Sequence, residues 1–308
     1  MKKKAKTLKG RTLYIPQMSY VGARCVAAAF KSLGFDAQPS PDSDARTLEL
    51  ARKYLSGDEC LPEAITLGNF LKVTELPEYD PDKIAFFMAT SNGPCRFGHY
   101  LPLARKIFQQ RGEDVLFFSP SSSSGYENID EGANELLRTT WRAILCSDIL
   151  RKLQLKTRPY EIEHGNTDRV FNRSLERICD AISKQKISHK ERLNNIITTL
   201  LKSRDEFRSI PVDKTREKIL IGIVGEIFCR LNDFSNDFII NEIEKLGGEV
   251  WMSDVSEWIF YTNDEERVRL IRQGKRFSLQ MLACRIRQNI LKRDEQKLLG
   301  LFNEQNQA

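Results

Sequence analysis

Over its first 120 residues the chain alternates short apolar runs with segments of helical spacing, and that alternation restricts the fold more than any other feature. Thr12 to Pro16 (TLYIP) is a strand-like run, and Val21 to Leu33 (VGARCVAAAFKSL) an alanine-rich helix that Gly34 is placed to stop. Phe35 to Ala37 reads as a short second strand. Ala45 to Leu55 and Pro62 to Thr74 both carry helical spacing. Lys83 to Met88 (KIAFFM) is a continuous apolar run of the kind buried on both faces, His99 to Gln110 a helix, and Val115 to Ser119 (VLFFS) another buried strand. Strand and helix alternating at this spacing predict a parallel, doubly wound α/β sheet.

A second α/β unit is predicted further along. The polar loop 120–130 (PSSSSGYENID) marks a boundary, and the chain is then mostly helical from Asn134 to about Arg208, with breaks near Arg158-Pro159-Tyr160 and His164-Gly165. After Ile210-Pro211, Lys218 to Val224 (KILIGIV) reads as a strand, Phe238 to Leu246 as a helix, Glu249 to Met252 as a strand, and Glu265 to Asn303 as charged helix. These strand-like segments are too few for an independent doubly wound domain, so this second parallel-sheet unit reads as incomplete at its C-terminal end. The predicted divisions are a basic disordered tail over 1–10, an N-terminal α/β domain over 11–130, a helical connection over 131–215 and a truncated α/β domain over 216–308.

Composition narrows the classes of function. No stretch approaches the roughly 20 apolar residues that span a bilayer, and the start, MKKKAKTLKGR, lacks the apolar core of a signal peptide; a cytoplasmic protein with no membrane partner is expected. Of the net charge of +6, six basic groups (Lys2, Lys3, Lys4, Lys6, Lys9, Arg11) fall in the first 11 residues, and the remainder holds 42 basic and 42 acidic residues. No aromatic is interleaved with those lysines, so a solvated tail is expected rather than specific nucleic-acid binding. A P-loop, a G-x-S-x-G elbow and a kinase signature are all absent.

The chemistry is expected at cysteines. Seven is an odd number, and without an export signal a disulfide framework is not expected. Two share a context: Cys60, in Ser56-Gly57-Asp58-Glu59-Cys60-Leu61-Pro62, and Cys95, in Ser91-Asn92-Gly93-Pro94-Cys95-Arg96-Phe97-Gly98. Each stands where glycine lets the backbone approach and where helix N–H groups favour negative charge on sulfur. Cys95 also follows a strand, at the end of the sheet where parallel folds bind ligands. With no C-x-x-C and 35 residues between them, metal or iron–sulfur ligation is preferred to a redox disulfide, and spacing alone leaves zinc and iron–sulfur both open. Arg96, His99 and the amides near Gly93 and Gly98 are placed to balance charge on such a site. Glu226, in Gly222-Ile223-Val224-Gly225-Glu226, is a candidate to orient a substrate or a proton, and with His99 forms the candidate catalytic pair. Cys25, Cys146, Cys179 and Cys284 lie in helical patterns among apolar neighbours and read as packing. Cys229 is less easily assigned to packing.

SGDECLPEAITLGNFL and MATSNGPCRFGHY resemble signature segments of the 2-hydroxyacyl-CoA dehydratase superfamily, specifically its acyl-CoA dehydratase activase-related (CoA-substrate-specific enzyme activase-related) group. The likeness extends to YIPQMSYVGARCVAAAFKSLGFDA, to TRPYE at 157–161 and to IGIVGEIFCRLNDFSNDFIINEIEKLGGEVWMSDVSEW at 221–258, and so spans roughly residues 11–306. The resemblance implies two α/β domains with helical connections and a [4Fe–4S] cluster at their interface, with Cys60 and Cys95 matching family cysteines. It further implies a separate ATP-dependent activator that supplies a low-potential electron for dehydration or another difficult reduction. Relatives usually carry a further cysteine-proline segment that this chain lacks. Either the chain is a truncated or split member, or the missing ligand comes from Cys229, Cys146, a substrate or a second chain, such as a second dehydratase-like subunit. Besides an iron–sulfur electron-transfer or reductase component, two alternatives stand: a non-catalytic partner or scaffold of the same fold, and a zinc-binding structural protein.

Overall fold

The computed structural model describes residues 7–90, 95–119, 133–215 and 217–302. Four strands, β1 (Thr12–Ile15), β2 (Asp36–Pro39), β3 (Ile84–Phe87) and β4 (Leu116–Phe118), form one parallel sheet in the order β2-β1-β3-β4. The chain leaves β1 for β2 on one side and then crosses back to β3 on the other. The switch of direction therefore falls between β1 and β3, and the segments after these two strands emerge side by side.

Helices cover both faces of this sheet, as the two-sided apolar strands require. Leu13, Ile15, Ala37, Ala85 and Phe118 point into one core with α1 (Tyr20–Lys31). Tyr14, Ile84, Phe86 and Phe117 point into the other, against α3 (Leu61–Val73) and α4 (Phe97–Gln110), with Leu50 of α2 (Ala45–Arg52). Period-two alternation along β1 thus sends neighbouring side chains to opposite cores. α1 begins at Ser19, whose hydroxyl accepts the Gly22 N–H, and α2 begins in a capping box between Asp44 and Thr47.

The helical connection is α5 (Ala133–Thr157), a single 3-10 turn over Arg158–Tyr160, α6 (Asn166–Ser183) and α7 (His189–Arg208). α5 and α6 pack on α1 and enlarge the first core. The breaks fall where the sequence places them, with a further one at 184–188 that Ser188 closes by capping α7. Beyond it lie β5 (Ile219–Ile223), α8 (Ile227–Leu231), α9 (Ile239–Lys245), β6 (Gly248–Met252), α10 (Val255–Arg272) and α11 (Leu279–Leu299). The protein is α/β, with the four-stranded parallel sheet and a second, small parallel pair β5–β6. The two strand-like runs read there, Lys218 to Val224 and Glu249 to Met252, pair here.

Two boundaries differ from expectation. Leu8 is buried in the first core and Arg11 donates to the carbonyls of Pro81 and Ile84, so the residues from Leu8 onward join the fold and are not part of a disordered tail. Lys2, Lys3, Lys4 and Lys6 lie outside the described residues. α10 begins at Val255, ten residues earlier than its charged sequence suggests, because both carboxylate oxygens of Asp148 on α5 accept its first N–H groups. Among the described residues no helix is long and apolar enough to cross a membrane.

Candidate thiol site and adjoining cavity

Cys60 and His99 come together because α3 and α4 start side by side. Cys60 is the N-cap residue of α3, with Pro62 in the first turn, and Arg96 is the N-cap residue of α4. Three contacts join the two helix starts. Tyr100 lies 2.8 Å from the Cys60 sulfur, His99 Nδ1 lies 3.0 Å from Glu63 Oε1, and the Arg96 guanidinium donates to the Asp58 carbonyl. Phe97 packs edge-on against Tyr100.

Burial and charge set the chemistry of these groups. Burial, then the Cys60 sulfur, pushes the Tyr100 phenol far above its ordinary range, so Tyr100 keeps its proton beside the sulfur. Glu63 is 2 % exposed and His99 59 % exposed, so a buried carboxyl is tied to a solvent-facing imidazole. Burial pushes Glu63 up, against the opposing pull of His99, and its Oε2 atom has no protein partner.

The second α/β unit contributes from the other side. Glu226 is the N-cap residue of α8 and its Oε2 accepts the Cys229 N–H at 2.8 Å. Its charge reaches both Tyr100 and the Cys229 thiol, and Cys229 also feels Cys60. Burial first, then Glu226, pushes Cys229 up to about 11, so this thiol is neutral at physiological pH. Cys60, Tyr100, Glu226 and Cys229 therefore form one neighbourhood built from both units.

Cys95 is exposed and stands one residue before the Arg96 link to Asp58, and Gly98 lies in the first turn of α4. Gly93 lies outside the described residues. Cys146 is not available to this site. It is fully buried in the first core near Cys179, and burial pushes its thiol well up. Cys25 is likewise fully buried and Cys284 nearly so, with its sulfur 3.7 Å from the Asn263 carbonyl. Cys179 is half-buried, and a hydrogen bond from Cys25, with the Arg24 charge, lowers it.

A cavity of about 630 Å³ opens beside this neighbourhood, at the carboxyl ends of three strands. Gln17 and Ser19 follow β1, Asp42 and Ser43 follow β2, and Ser253 and Asp254 follow β6. Arg151 and Asp148 line it from α5. Asn232, just after α8, joins its walls by donating to the Gln17 carbonyl at 2.9 Å and to Ser43 Oγ at 3.2 Å. Cys229 and Asn232 are three residues apart, so the thiol neighbourhood and the cavity share α8 as a common wall. Arg158 of the TRPYE segment braces that wall through Glu244 of α9 and Asp168 of α6, and Tyr160 donates to Glu249 of β6 at 2.6 Å.

Sequence reasoning places Cys60, Arg96 and His99 in one region and misses Glu63, Tyr100 and the cavity. Glu63 and Tyr100 carry one legible signal: each lies in the first turn of a helix whose preceding loop holds a candidate cysteine. The ligand arithmetic of an iron–sulfur site is only partly met. The donors are soft thiols of the right class, but among the described residues no three His, Cys, Asp or Glu side chains gather at metal-binding distance. No family model, curated protein or solved structure matches the chain.

Proposed function

We propose that the chain is an iron–sulfur electron-transfer or reductase component related to the 2-hydroxyacyl-CoA dehydratases, working with a separate ATP-dependent activator in the cytoplasm. The observation that supports this reading is the tie between the Cys60 and Cys95 loops at two adjoining helix starts, through Arg96 and Asp58, with the Cys229 thiol of the second unit near enough to feel the charge of Cys60. A cluster supplies one-electron chemistry where thiolates hold it. The chain's own residues do the rest: Tyr100 shares a hydrogen bond with the Cys60 sulfur, Glu63 and His99 move a proton between the buried helix starts and solvent, and Glu226 fixes the start of α8. The adjoining cavity shares α8 with these groups and offers a small polar molecule a place beside them.

The scaffold reading is favoured by a different observation, the lack of a gathered three-ligand set among the described residues. Anaerobic purification of the full chain with iron and sulfide analysis separates the two. The expected result is bound iron and acid-labile sulfide that are lost in Cys60→Ala and in Cys95→Ala, with helix content retained, and unchanged in Cys179→Ala. Zinc without sulfide points to the structural metal protein. A full-length wild type that carries no metal, or a Cys95→Ala variant that keeps its iron, overturns the assignment.

A further inference from the structure

From Arg267 to Arg293 the chain carries nine Arg or Lys residues and no Asp or Glu. This run is the hairpin of α10 and α11, and it holds the largest group of exposed apolar side chains on the described surface outside β5. Phe277, at the turn, is 96 % exposed and Leu279 84 %. Leu282, Ile286 and Ile290 continue from Leu279 along α11, all exposed, at steps of three, four and four. At about 100° per residue those steps keep the four side chains within an arc of about 80°. That arc faces away from Met281, Cys284 and Leu298, which are buried on the opposite side of the same helix.

The base of the hairpin is anchored and its far end projects. Trp141 donates to the Leu291 carbonyl at 3.2 Å, and Arg142 bonds Asp294 at 2.8 Å, both from α5. Nearer the turn, the bonds run within the hairpin: Cys284 to the Asn263 carbonyl and Arg287 to Glu266. Of the nine basic residues, Arg287 pairs with Glu266 and Arg267 with Asp264, and the other seven pair with no described carboxylate. Arg285 and Lys292 flank the apolar stripe on one side and Arg287 on the other.

We propose that this hairpin docks on an anionic lipid bilayer, with Phe277 and the Leu279–Leu282–Ile286–Ile290 stripe entering the headgroup–acyl boundary and the flanking Arg and Lys meeting anionic headgroups. Charge complementarity selects this occupant. A second copy brings the same unpaired cations to the same stripe and is repelled. A nucleic acid neutralises the cations but offers the aliphatic stripe nothing to bury against. An anionic bilayer answers both features. A hairpin lying on the surface needs no spanning helix, so the lack of an apolar span does not bear on it.

The test is co-sedimentation of the full chain with vesicles of phosphatidylcholine containing phosphatidylglycerol, against phosphatidylcholine alone, at low and high salt. Binding is expected on the anionic vesicles only, and weakened by salt. Leu282→Glu and Ile286→Glu change exposed positions and are expected to lower it at least about tenfold, with far-UV circular dichroism unchanged. Arg276→Gln and Arg285→Gln are each expected to lower it about fivefold. Equal binding to both vesicle types, or full binding by Ile286→Glu, overturns the proposal. So does a dimer that Ile286→Glu dissolves while the wild type ignores vesicles, or duplex DNA binding that survives Ile286→Glu in a chain that ignores vesicles. Iron content has no part in this readout, so it stands apart from the cluster reading.

Discussion

At the scale of single residues, the carboxyl with the most distinctive setting is Asp148. It is nearly buried at the wall of the cavity, its two oxygens accept the N–H groups of Val255 (3.2 Å) and Ser256 (2.9 Å), and Asp254 lies close by. Burial, then the Asp254 charge, pushes its pKa up to about 7, against the pull of the two backbone donors. An unfolded aspartate titrates near 3.9, so between about pH 4 and 7 the folded protein holds a proton that the unfolded chain releases. Asp148 therefore contributes stability at low pH that is lost as pH rises through this window. Asp148→Asn removes the titration. Compared with wild type by urea unfolding across that range, the variant is expected to be less stable in acid and to show a smaller decline as pH rises. Parallel profiles for the two proteins count against this account. Nothing local along the chain hints at it, since Asp148 is one aspartate in an amphipathic helix until α10 is placed upon it.

At the scale of elements, the approach of α2 to α3 is set by one glycine. A Cβ on Gly68 meets the Thr47 carbonyl oxygen at 2.0 Å and its carbonyl carbon at 2.7 Å. Both partners are backbone or fully buried, and Thr47 is fixed by the Asp44 capping box and by its bond to Asn69 at 2.9 Å. Neither helix has room to yield, so Gly68→Ala separates α2 from α3 and disturbs the α3 start that carries Cys60. A loss of about 1–3 kcal/mol is expected from such overpacking, read by chemical denaturation. Gly57→Ala, with open space around it but a left-handed backbone, is the comparison that separates crowding from backbone strain. Most elements are legible in sequence because their apolar spacing and caps are local. α8, only five residues long, escapes that reading, since a helix of this length is held by Glu226 and by packing rather than by its own propensity.

At the scale of the whole molecule, Arg142 and Asp294 tie the C-terminal helix to the centre of the chain. Each side chain is 1 % exposed, and Arg142 also donates to the His189 carbonyl at 2.8 Å, so α5, α7 and α11 meet at one guanidinium. Burial raises Asp294, and the Arg142 bond and charge more than offset it, which leaves the carboxyl below its ordinary range. Removing the cation leaves the buried Asp294 carboxylate with only the longer, half-exposed Arg138 contact at 3.4 Å. Arg142→Leu is expected to cost about 3–5 kcal/mol and to loosen the α10–α11 hairpin first, measured by urea unfolding together with hydrogen exchange over 255–299. Exchange that rises evenly over the whole chain counts against a local tie.

What the amino-acid sequence determined alone is the class of fold and which helix starts carry cysteines. Continuous apolar runs such as KIAFFM require helices on both faces, and a cysteine at a helix start is visible from Pro62 just after Cys60 and from Gly98 just after Cys95. These are properties of neighbours along the chain. The tertiary structure decided which helix starts meet, and so paired Cys60 with Tyr100 and Glu63 with His99. It sent Cys146 to the core and Cys229 toward Cys60. It also left the apolar strand β5 at the edge of a two-stranded sheet, with Ile219 76 % exposed. The reason is physical: burial, and the shifts it imposes on a thiol, phenol or carboxyl, depends on groups that lie tens of residues apart in sequence and become neighbours only when the layers close.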